Sequence, residues 1–143
     1  MCPLIPLGIA HLAVAAEIHR RCFAEAWDAA ALADLLAMPW TFGFLAGDDV
    51  PVGFVLARVA ADEAEILTIA VLPEARRTGQ ASRLLDAAAA LARQLGATAL
   101  FLEVAVDNPA ALGLYESRHF QIVGRRSHYY GPNHHAIVLR RDL

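Results

Sequence analysis

One carboxylate and one phenol stand out as side chains that can move protons. Glu103 is the only charged residue in the otherwise apolar stretch from Thr98 to Val104, which has the composition of a buried strand. A carboxylate in such a strand carries a large desolvation cost unless it is partnered or functional. Tyr115 follows on a short helical segment, and its hydroxyl can release a proton where the geometry assists the transfer. Each residue also has a structural interpretation, as a solvent-facing strand end for Glu103 and as a packing residue for Tyr115.

A loop between a predicted strand and a predicted helix has the composition of an anion-binding site. The apolar, β-branched run from Ile66 to Leu72 predicts a buried strand, and Pro73 stops it. Apolar residues return at helical spacing from Ala81 onward. Because a helix N-terminus presents unpaired backbone N–H groups, segment 76–81, with two arginines and a glycine, predicts a site for phosphate or pyrophosphate. The alternative is an ordinary strand–helix connection with exposed arginines.

Two common phosphate-binding motifs are absent from the sequence. The chain contains no lysine, so a loop ending in Gly-Lys-Ser/Thr is impossible. No G-x-G-x-x-G pattern follows a predicted strand, which argues against a dinucleotide-binding turn. The remaining pattern is Arg-x-x-Gly-x-Ala, formed by Arg76, Gly79 and Ala81.

Hydrophobic periodicity predicts a mixed α/β protein in the order β-α-α-β-β-β-α-β-α-β-β. Asp28 is the expected N-cap of the second helix, and Asn108 and Pro109 open the last one. A helical crossover makes the strand at Ile66 parallel to the strand at Thr98, whereas tight turns make other neighbours antiparallel. The predicted strands are 4–10, 40–46, 52–60, 66–72, 98–104, 121–129 and 135–141, and the predicted helices are 12–23, 29–38, 81–95 and 109–119.

The composition favours one globular domain over residues 1–143. Apolar residues make up 57% of the chain, and the net charge of −3 gives no sign of a nucleic-acid surface. The N-terminus lacks a signal-peptide pattern and no run is long enough to span a bilayer, so we expect a cytoplasmic protein without a membrane partner. Cys2, Cys22 and the six histidines have no metal-ligand spacing, so we expect no metal. The oligomeric state stays open.

The anion-binding loop and the segment after the second parallel strand resemble one enzyme family. Arg-x-x-Gly-x-Ala is similar to the pyrophosphate loop of the GNAT N-acetyltransferases, Arg/Gln-x-x-Gly-x-Gly/Ala. Residues 102–116 resemble the family's next motif, L-E-V-x-x-x-N-x-x-A-x-x-L-Y-E. With 67–71 and 125–130, they most resemble the RimI group, whose members acetylate the N-terminal amine of a ribosomal protein that begins with alanine. The resemblance is strongest over residues 63–130.

The resemblance implies a three-layer α/β/α GNAT fold, whose mixed, mostly antiparallel sheet has a central parallel strand pair. It implies direct transfer of an acetyl group from acetyl-CoA to an amine in a ternary complex. Glu103 would be the general base for the amine, and Tyr115 the general acid that protonates the departing thiolate. The residues expected to contact the coenzyme are Ile69, Ala70, Val71, Arg76, Arg77, Thr78, Gly79, Gln80, Ala81, Ser82 and Asn108.

The acceptor side of the site has fewer markers in the sequence. RimI-group substrates are basic near their N-terminus, so Glu63 and Glu65 are candidates to bind them; a solvated turn is an equal alternative. Trp27, Tyr129 and Tyr130 are candidates to wall the alanine pocket, with a core role as their alternative.

Two rival functions fit the same residues. The first is a GNAT enzyme that acetylates a small-molecule amine, such as an amino acid, a polyamine or a drug. The second is a catalytically silent module that binds acyl-CoA through segment 76–82 and tolerates the loss of Glu103.

Some positions agree with the group more loosely or depart from it. His19, Phe23 and Trp27 resemble the first helix and loop of the RimI group. Ala81 stands where many members have glycine, which is an accepted variant. Residues 118–120 read Arg-His-Phe where Leu-Gly-Phe is usual, and this puts the end of the last helix in doubt.

Overall fold

The computed structural model describes residues 4–47, 49–105, 109–126 and 136–143. Strands and helices follow one another in the predicted order, which is therefore confirmed for these ranges. Short 3-10 turns at Ile9–His11 and Pro73–Ala75 add to them. The elements are β1 (Ile5–Pro6), α1 (Leu12–Cys22), α2 (Ala29–Ala37), β2 (Thr41–Gly47), β3 (Pro51–Ala60), β4 (Glu63–Val71), α3 (Gln80–Gln94), β5 (Ala99–Ala105), α4 (Pro109–Ser117), β6 (Gln121–Arg126) and β7 (Ala136–Asp142).

The described strands form one mixed sheet in the order β1-β2-β3-β4-β5-β7-β6. β4 and β5 are parallel because α3 carries the chain back across the sheet between them. The other neighbouring strands are antiparallel. The predicted central parallel pair within a mostly antiparallel sheet is confirmed.

Helices cover both faces of the sheet, as the three-layer prediction requires. On one face, Leu84 and Leu85 of α3 are fully buried against strand residues such as Leu100. On the other face, Ile18 of α1 and Leu32 of α2 belong to a second apolar cluster. Each fully buried leucine contributes roughly 1.5–3 kcal/mol to folding. Among the described residues, no helix combines the length and the apolar composition needed to cross a membrane.

Two predicted strand boundaries were wrong. β4 begins at Glu63 rather than Ile66, because Glu63 and Glu65 alternate with the buried Ala64 and Ile66 along one strand. The solvated turn that the sequence left open as an alternative for these two carboxylates is therefore not what the structure shows. β1 is only Ile5–Pro6, since the chain turns into a 3-10 helix where the strand was expected to continue.

The two parallel strands stay together for only three residue pairs, the last joining Glu65 to Phe101. Beyond this point β4 remains paired with β3, and β5 remains paired with β7. A bulge in β4 leaves Leu67 without an opposing residue on β3, and such bulges bend a strand and increase its twist. The carboxyl-terminal halves of β4 and β5 therefore border an opening in the middle of the sheet.

Candidate active site

The opening between β4 and β5 continues into a cleft of about 1270 Å³. Its walls are β4 from Ile66 onward, β5 from Leu102 onward, the loop after α1, the loop before α3, and α4. Five segments between His19 and Tyr115 thus meet around one concave surface, the usual form of a ligand site.

The loop before α3 has the backbone conformation of an anion-binding site. Arg77 and Gly79 both have positive φ, at 63° and 84°, on either side of Thr78. Left-handed residues beside right-handed ones direct successive backbone N–H groups toward one concave side. α3 begins at Gln80, and Gly79 to Ser82 line the cleft, so the positive end of the helix dipole faces the same space. This geometry supports the predicted phosphate site.

Position 79 favours glycine because of its left-handed backbone angle, and not because a side chain would clash there. A Cβ placed there would meet nothing within 4 Å, so the space in front of the loop is open to a ligand. Thr78 turns away from that space, because its hydroxyl donates to the Ala75 carbonyl at 2.5 Å. Arg76 lines the cleft and its Nε donates to the Val71 carbonyl at 3.0 Å, which ties the loop to the end of β4. Direct contacts of Thr78 and Arg76 with a coenzyme stay predictions.

A bidentate ion pair holds the end of α1 against the segment that leads into this loop. The two terminal guanidinium nitrogens of Arg21 each donate to one carboxylate oxygen of Glu74 at 2.8 Å. The hydrogen bonds from Arg21 lower the pKa of Glu74 below its ordinary value. Because both side chains are largely exposed, we assign the pair a positioning role rather than a large contribution to stability.

Glu103 and Tyr115 line the same cleft, as the sequence predicted for a catalytic pair. Glu103 is half-buried on β5, and its neighbours Leu102 and Val104 enter the core beside α3, so its own side chain lies on the face of α1. Tyr115 is 9% exposed on α4, and its ring packs edge-on against Phe120 at 6.0 Å. Their roles as base and acid stay predictions.

Aromatic side chains from the loop after α1 form another wall of the cleft. Phe23 and Trp27 line it and keep 42% and 37% of their surface exposed. The ring of His19 stacks on both of them, with centroid distances of 4.3 Å to Phe23 and 5.1 Å to Trp27. The structure therefore places Trp27 at the cleft, where a substrate contact was predicted.

His19 and Thr68 line the cleft but were not among the predicted site residues. His19 is 4% exposed, and its burial lowers its pKa below the ordinary value of 6.5. Its Nε2 lies 3.2 Å from the hydroxyl of Thr68. In the sequence, Thr68 stands out only as the polar residue in the apolar run 66–72, and His19 only through the resemblance of its helix to the RimI group. No spacing rule connects Thr68 to a histidine on α1.

Glu63 and Glu65 lie outside the main cleft, in a neighbouring groove of about 240 Å³. Arg58 and Phe101 also line this groove, and Glu103 lines both spaces. The groove carries charges of both signs, since Arg58 stands opposite Glu65 across β3 and β4. The two carboxylates are thus near the candidate base but not beside the cleft walls.

Three predicted site residues, Asn108, Tyr129 and Tyr130, lie outside the described residues. Among the residues that the structure does describe, no three His, Cys, Asp or Glu side chains are grouped as a metal site would require.

The departure from the usual family pattern at Arg118 and His119 leaves the end of α4 intact. The helix ends at Ser117, and His119 takes the left-handed conformation with φ of 74°. Arg118 turns to α3 and donates to Asp86 at 2.6 Å, and the same carboxylate accepts from Arg141 on β7 at 3.0 Å. The helix therefore stops before Phe120, as predicted.

Comparison with known proteins agrees with this geometry. A sequence model of the acetyltransferase (GNAT) family matches residues 12–120. A ribosomal protein bS18-alanine N-acetyltransferase from Salmonella typhimurium is 37% identical over 86 residues, which cover 60% of this chain and 58% of the relative. An N-alpha-acetyltransferase from Saccharolobus solfataricus is 37% identical over 79 residues, which cover 54% of this chain and 47% of the relative. The matched segments span about half the length of these curated relatives.

A solved structure extends the similarity to nearly the whole chain. The ribosomal-protein-alanine N-acetyltransferase from Escherichia coli matches with a TM-score of 0.90 at 28% identity, covering 99% of this chain and 94% of that one. The family match over residues 12–120 includes the anion-binding loop, the diverging strands and the segment with Glu103 and Tyr115. This chain is therefore a member of the GNAT acetyltransferase family.

Proposed function

We propose that this chain is an acetyl-CoA-dependent N-acetyltransferase that acts on a protein N-terminus, with the terminal alanine of a ribosomal protein as its acceptor. The observation that carries the proposal is that one cleft is lined by the anion-binding loop, the edge of β4, Glu103 and Tyr115. A thioester donor with a pyrophosphate group and an amine acceptor need these features together. We also propose that residues 1–143 act as one domain, in the cytoplasm, where ribosomal proteins are made.

The donor is proposed to bind along β4 and the loop before α3. Backbone N–H groups of residues 76–82 would bind the pyrophosphate, with Arg76 and Arg77 adding charge. Residues 69–71 follow the last pair with β5 and line the cleft, so a pantetheine arm could pair with them like an added strand. Their backbone groups could also polarise the thioester carbonyl as charge develops on its oxygen. Asn108 remains a proposed coenzyme contact on the family pattern alone.

The transfer needs one proton removed and one supplied. A peptide α-amine has a pKa of about 7.7–8.0, so deprotonating it near neutral pH costs little. Glu103 would accept that proton, directly or through a water, as the amine nitrogen bonds to the thioester carbon. The carbon–sulfur bond then breaks, and the Tyr115 hydroxyl would supply the proton that the departing thiolate takes up. The products are the acetylated amine and the free coenzyme thiol.

The acceptor class is supported by the relatives and by the aromatic wall. The Salmonella relative is named for an alanine of a ribosomal protein, and the Saccharolobus relative for N-alpha-acetylation. Trp27, with Tyr129 and Tyr130, would enclose a small first side chain. Glu63 and Glu65 would attract basic residues that follow it, from a groove that shares Glu103 with the cleft.

A steady-state assay with acetyl-CoA and three acceptors tests the proposal. The acceptors are a basic peptide that starts with alanine, the same peptide with a blocked N-terminus and an internal lysine, and a panel of small amines. Wild type is compared with Glu103→Gln and with Asp34→Asn, a control on an exposed position of α2. We expect turnover of the free-alanine peptide alone, with most of that rate lost in Glu103→Gln and retained in Asp34→Asn.

The other outcomes separate the rival functions. Faster turnover of small amines than of peptides would contradict the protein acceptor and leave the acetyltransferase activity standing. Coenzyme binding without turnover of any acceptor, unchanged by Glu103→Gln, would favour a silent acyl-CoA-binding module.

A further inference from the structure

The two ring nitrogens of His19 connect two walls of the cleft, the loop after α1 and strand β4. Its Nδ1 accepts a hydrogen bond from the backbone N–H of Trp27 at 3.0 Å. Because a nitrogen that accepts carries no proton, the neutral ring carries its proton on Nε2. That nitrogen lies 3.2 Å from the Thr68 hydroxyl oxygen and therefore donates to it. One side chain thus ties the loop after α1 to β4, 49 residues further along the chain.

The surroundings of His19 keep this ring neutral. It is 4% exposed and stacks between Phe23 and Trp27, with Phe54 at a centroid distance of 6.2 Å. Burial among these rings lowers the pKa of His19. Both hydrogen bonds are therefore maintained in the pH range in which a peptide α-amine is neutral.

Thr68 brings its hydroxyl to the wall of the cleft because of the bulge in β4. The bulge puts Leu67 and Thr68 consecutively on the α1 face, where Leu67 packs in the apolar cluster and Thr68 meets His19. Glu103 lies on the same face of β5, on the other side of the opening. A hydroxyl has one proton and two lone pairs, and His19 occupies one lone pair. The Thr68 proton is therefore directed away from the ring, available to a carbonyl oxygen in the cleft.

We propose that His19 is a positioning residue for the acceptor: it orients the Thr68 hydroxyl toward the first peptide carbonyl and holds Trp27 beside the first side chain. The inference rests on the proposed N-terminal acetyltransferase function and names the groups that orient its acceptor. A small amine without a neighbouring carbonyl offers Thr68 no hydrogen-bond acceptor. The KM for such an amine therefore does not depend on His19 and Thr68.

Three single variants and one double variant test this arrangement. His19→Phe keeps a ring between Phe23 and Trp27 but removes both hydrogen bonds. Thr68→Val keeps the branched shape without the hydroxyl, whereas Thr68→Ser keeps the hydroxyl. We expect His19→Phe and Thr68→Val each to raise the KM for the free-alanine peptide about tenfold, the scale of one hydrogen bond. The KM for acetyl-CoA and kcat should stay within about twofold of wild type.

Rescue by Thr68→Ser and coupling between the His19 and Thr68 variants distinguish a positioning role of His19 from a general structural role. Thr68→Ser should keep the wild-type peptide KM, and the double variant of His19→Phe with Thr68→Val should be no worse than His19→Phe alone, because that variant already removes the Thr68 contact. A peptide KM unchanged in both single variants, additive losses in the double variant, or equal rises in the KM of both substrates would overturn the inference.

Amide hydrogen exchange tests the hydrogen bond between Trp27 and His19 independently of catalysis. His19→Phe should speed exchange of the Trp27 amide, which loses its acceptor, and leave exchange in α3 unchanged. Unchanged exchange at Trp27 would overturn the proposed hold on the loop.

If wild type acetylates no peptide, the proposed function fails, and the Thr68 carbonyl contact fails with it. If wild type acetylates the peptide and the variants match it, only the positioning inference fails.

Discussion

Glu65 on β4 and Phe101 on β5 form the last residue pair between the two parallel strands. β4 then continues with β3, and β5 with β7, so each border of the opening is a strand that is hydrogen-bonded on its other side. Glu103 lies just beyond the pair on such a strand. The candidate base therefore stands on a rigid element rather than on a loop, which favours a defined geometry toward the acceptor.

Replacing Glu103 by glutamine removes the candidate proton acceptor and changes the side-chain shape very little. We expect kcat/KM for the free-alanine peptide to fall about 10²–10⁴-fold near neutral pH. The loss should shrink above the amine pKa of about 7.7–8.0, because solvent then supplies the neutral amine. A pH–rate profile of wild type, Glu103→Gln and Asp34→Asn checks this. A loss of equal size at every pH would contradict the base role.

Replacing Tyr115 by phenylalanine removes only a hydroxyl, and the ring keeps its packing on Phe120. We expect kcat to fall about 10²-fold, since the thiolate loses its proton donor, with a small change in the KM values. Urea denaturation provides the control and should show that the variant, like wild type, unfolds in one cooperative transition. Full kcat in a folded Tyr115→Phe variant would exclude the acid role.

Replacing Gly79 by alanine tests the anion-binding loop through its backbone. At a φ of 84° a Cβ costs about 1–2 kcal/mol, so the loop should relax away from its concave form. We expect the KM for acetyl-CoA to rise about tenfold while the peptide KM stays unchanged. Gly113→Ala is the matched control: this exposed residue of α4 has an open Cβ position and no left-handed angle. It should stabilise the protein by about 0.5–1 kcal/mol and leave both KM values unaltered.

His119 occupies a helix-ending position that favours glycine. Phe120 N–H donates to the Tyr115 carbonyl at 3.1 Å and His119 N–H donates to the Glu116 carbonyl at 3.2 Å, which is the Schellman pattern. His119 has a φ of 74°, a left-handed angle at which a Cβ is unfavourable. His119→Gly should therefore raise the free energy of unfolding by about 0.5–1 kcal/mol.

The end of α3 supplies the reverse experiment for this prediction. Gly96 has φ of 101° and takes part in the same hydrogen-bond pattern, with Ala97 N–H donating to the Ala92 carbonyl at 3.0 Å. Gly96→His should therefore lower the free energy of unfolding. Urea midpoints of the two variants should move in opposite directions, and shifts of the same sign would contradict the assignment.

The lowered pKa of His19 makes stability depend on pH. Below about pH 6.5 the unfolded chain binds a proton at this residue that the native protein still excludes. The stabilisation is therefore complete above that pH and is lost as pH falls toward the native pKa. We expect wild type to lose more free energy of unfolding than His19→Phe between about pH 7.5 and about pH 5.5, measured by urea denaturation. Parallel pH dependences in the two proteins would contradict a neutral buried ring.

Local features of the chain were predictable because their causes are local. Strand 66–71, the loop at Gly79 and helix 80–94 follow from hydrophobic period, a glycine at a left-handed position and a helix N-terminus, all readable within about twenty residues. Glu103 was found because a charge in an apolar strand is conspicuous in sequence. The family resemblance depended on the same local segments.

The features that only the tertiary structure determined depend on contacts between segments that are far apart in the sequence. The parting of β4 and β5 after Glu65 depends on which neighbour each strand keeps, and no pattern within either strand specifies it. β4 begins at Glu63 rather than at the predicted Ile66 because pairing with β3 and β5 extends the strand. The contact of His19 with Thr68 joins residues 49 apart, and a bulge turns the threonine toward the histidine. Periodicity assigns side chains to faces of their own elements, but only the packed sheet determines which faces meet.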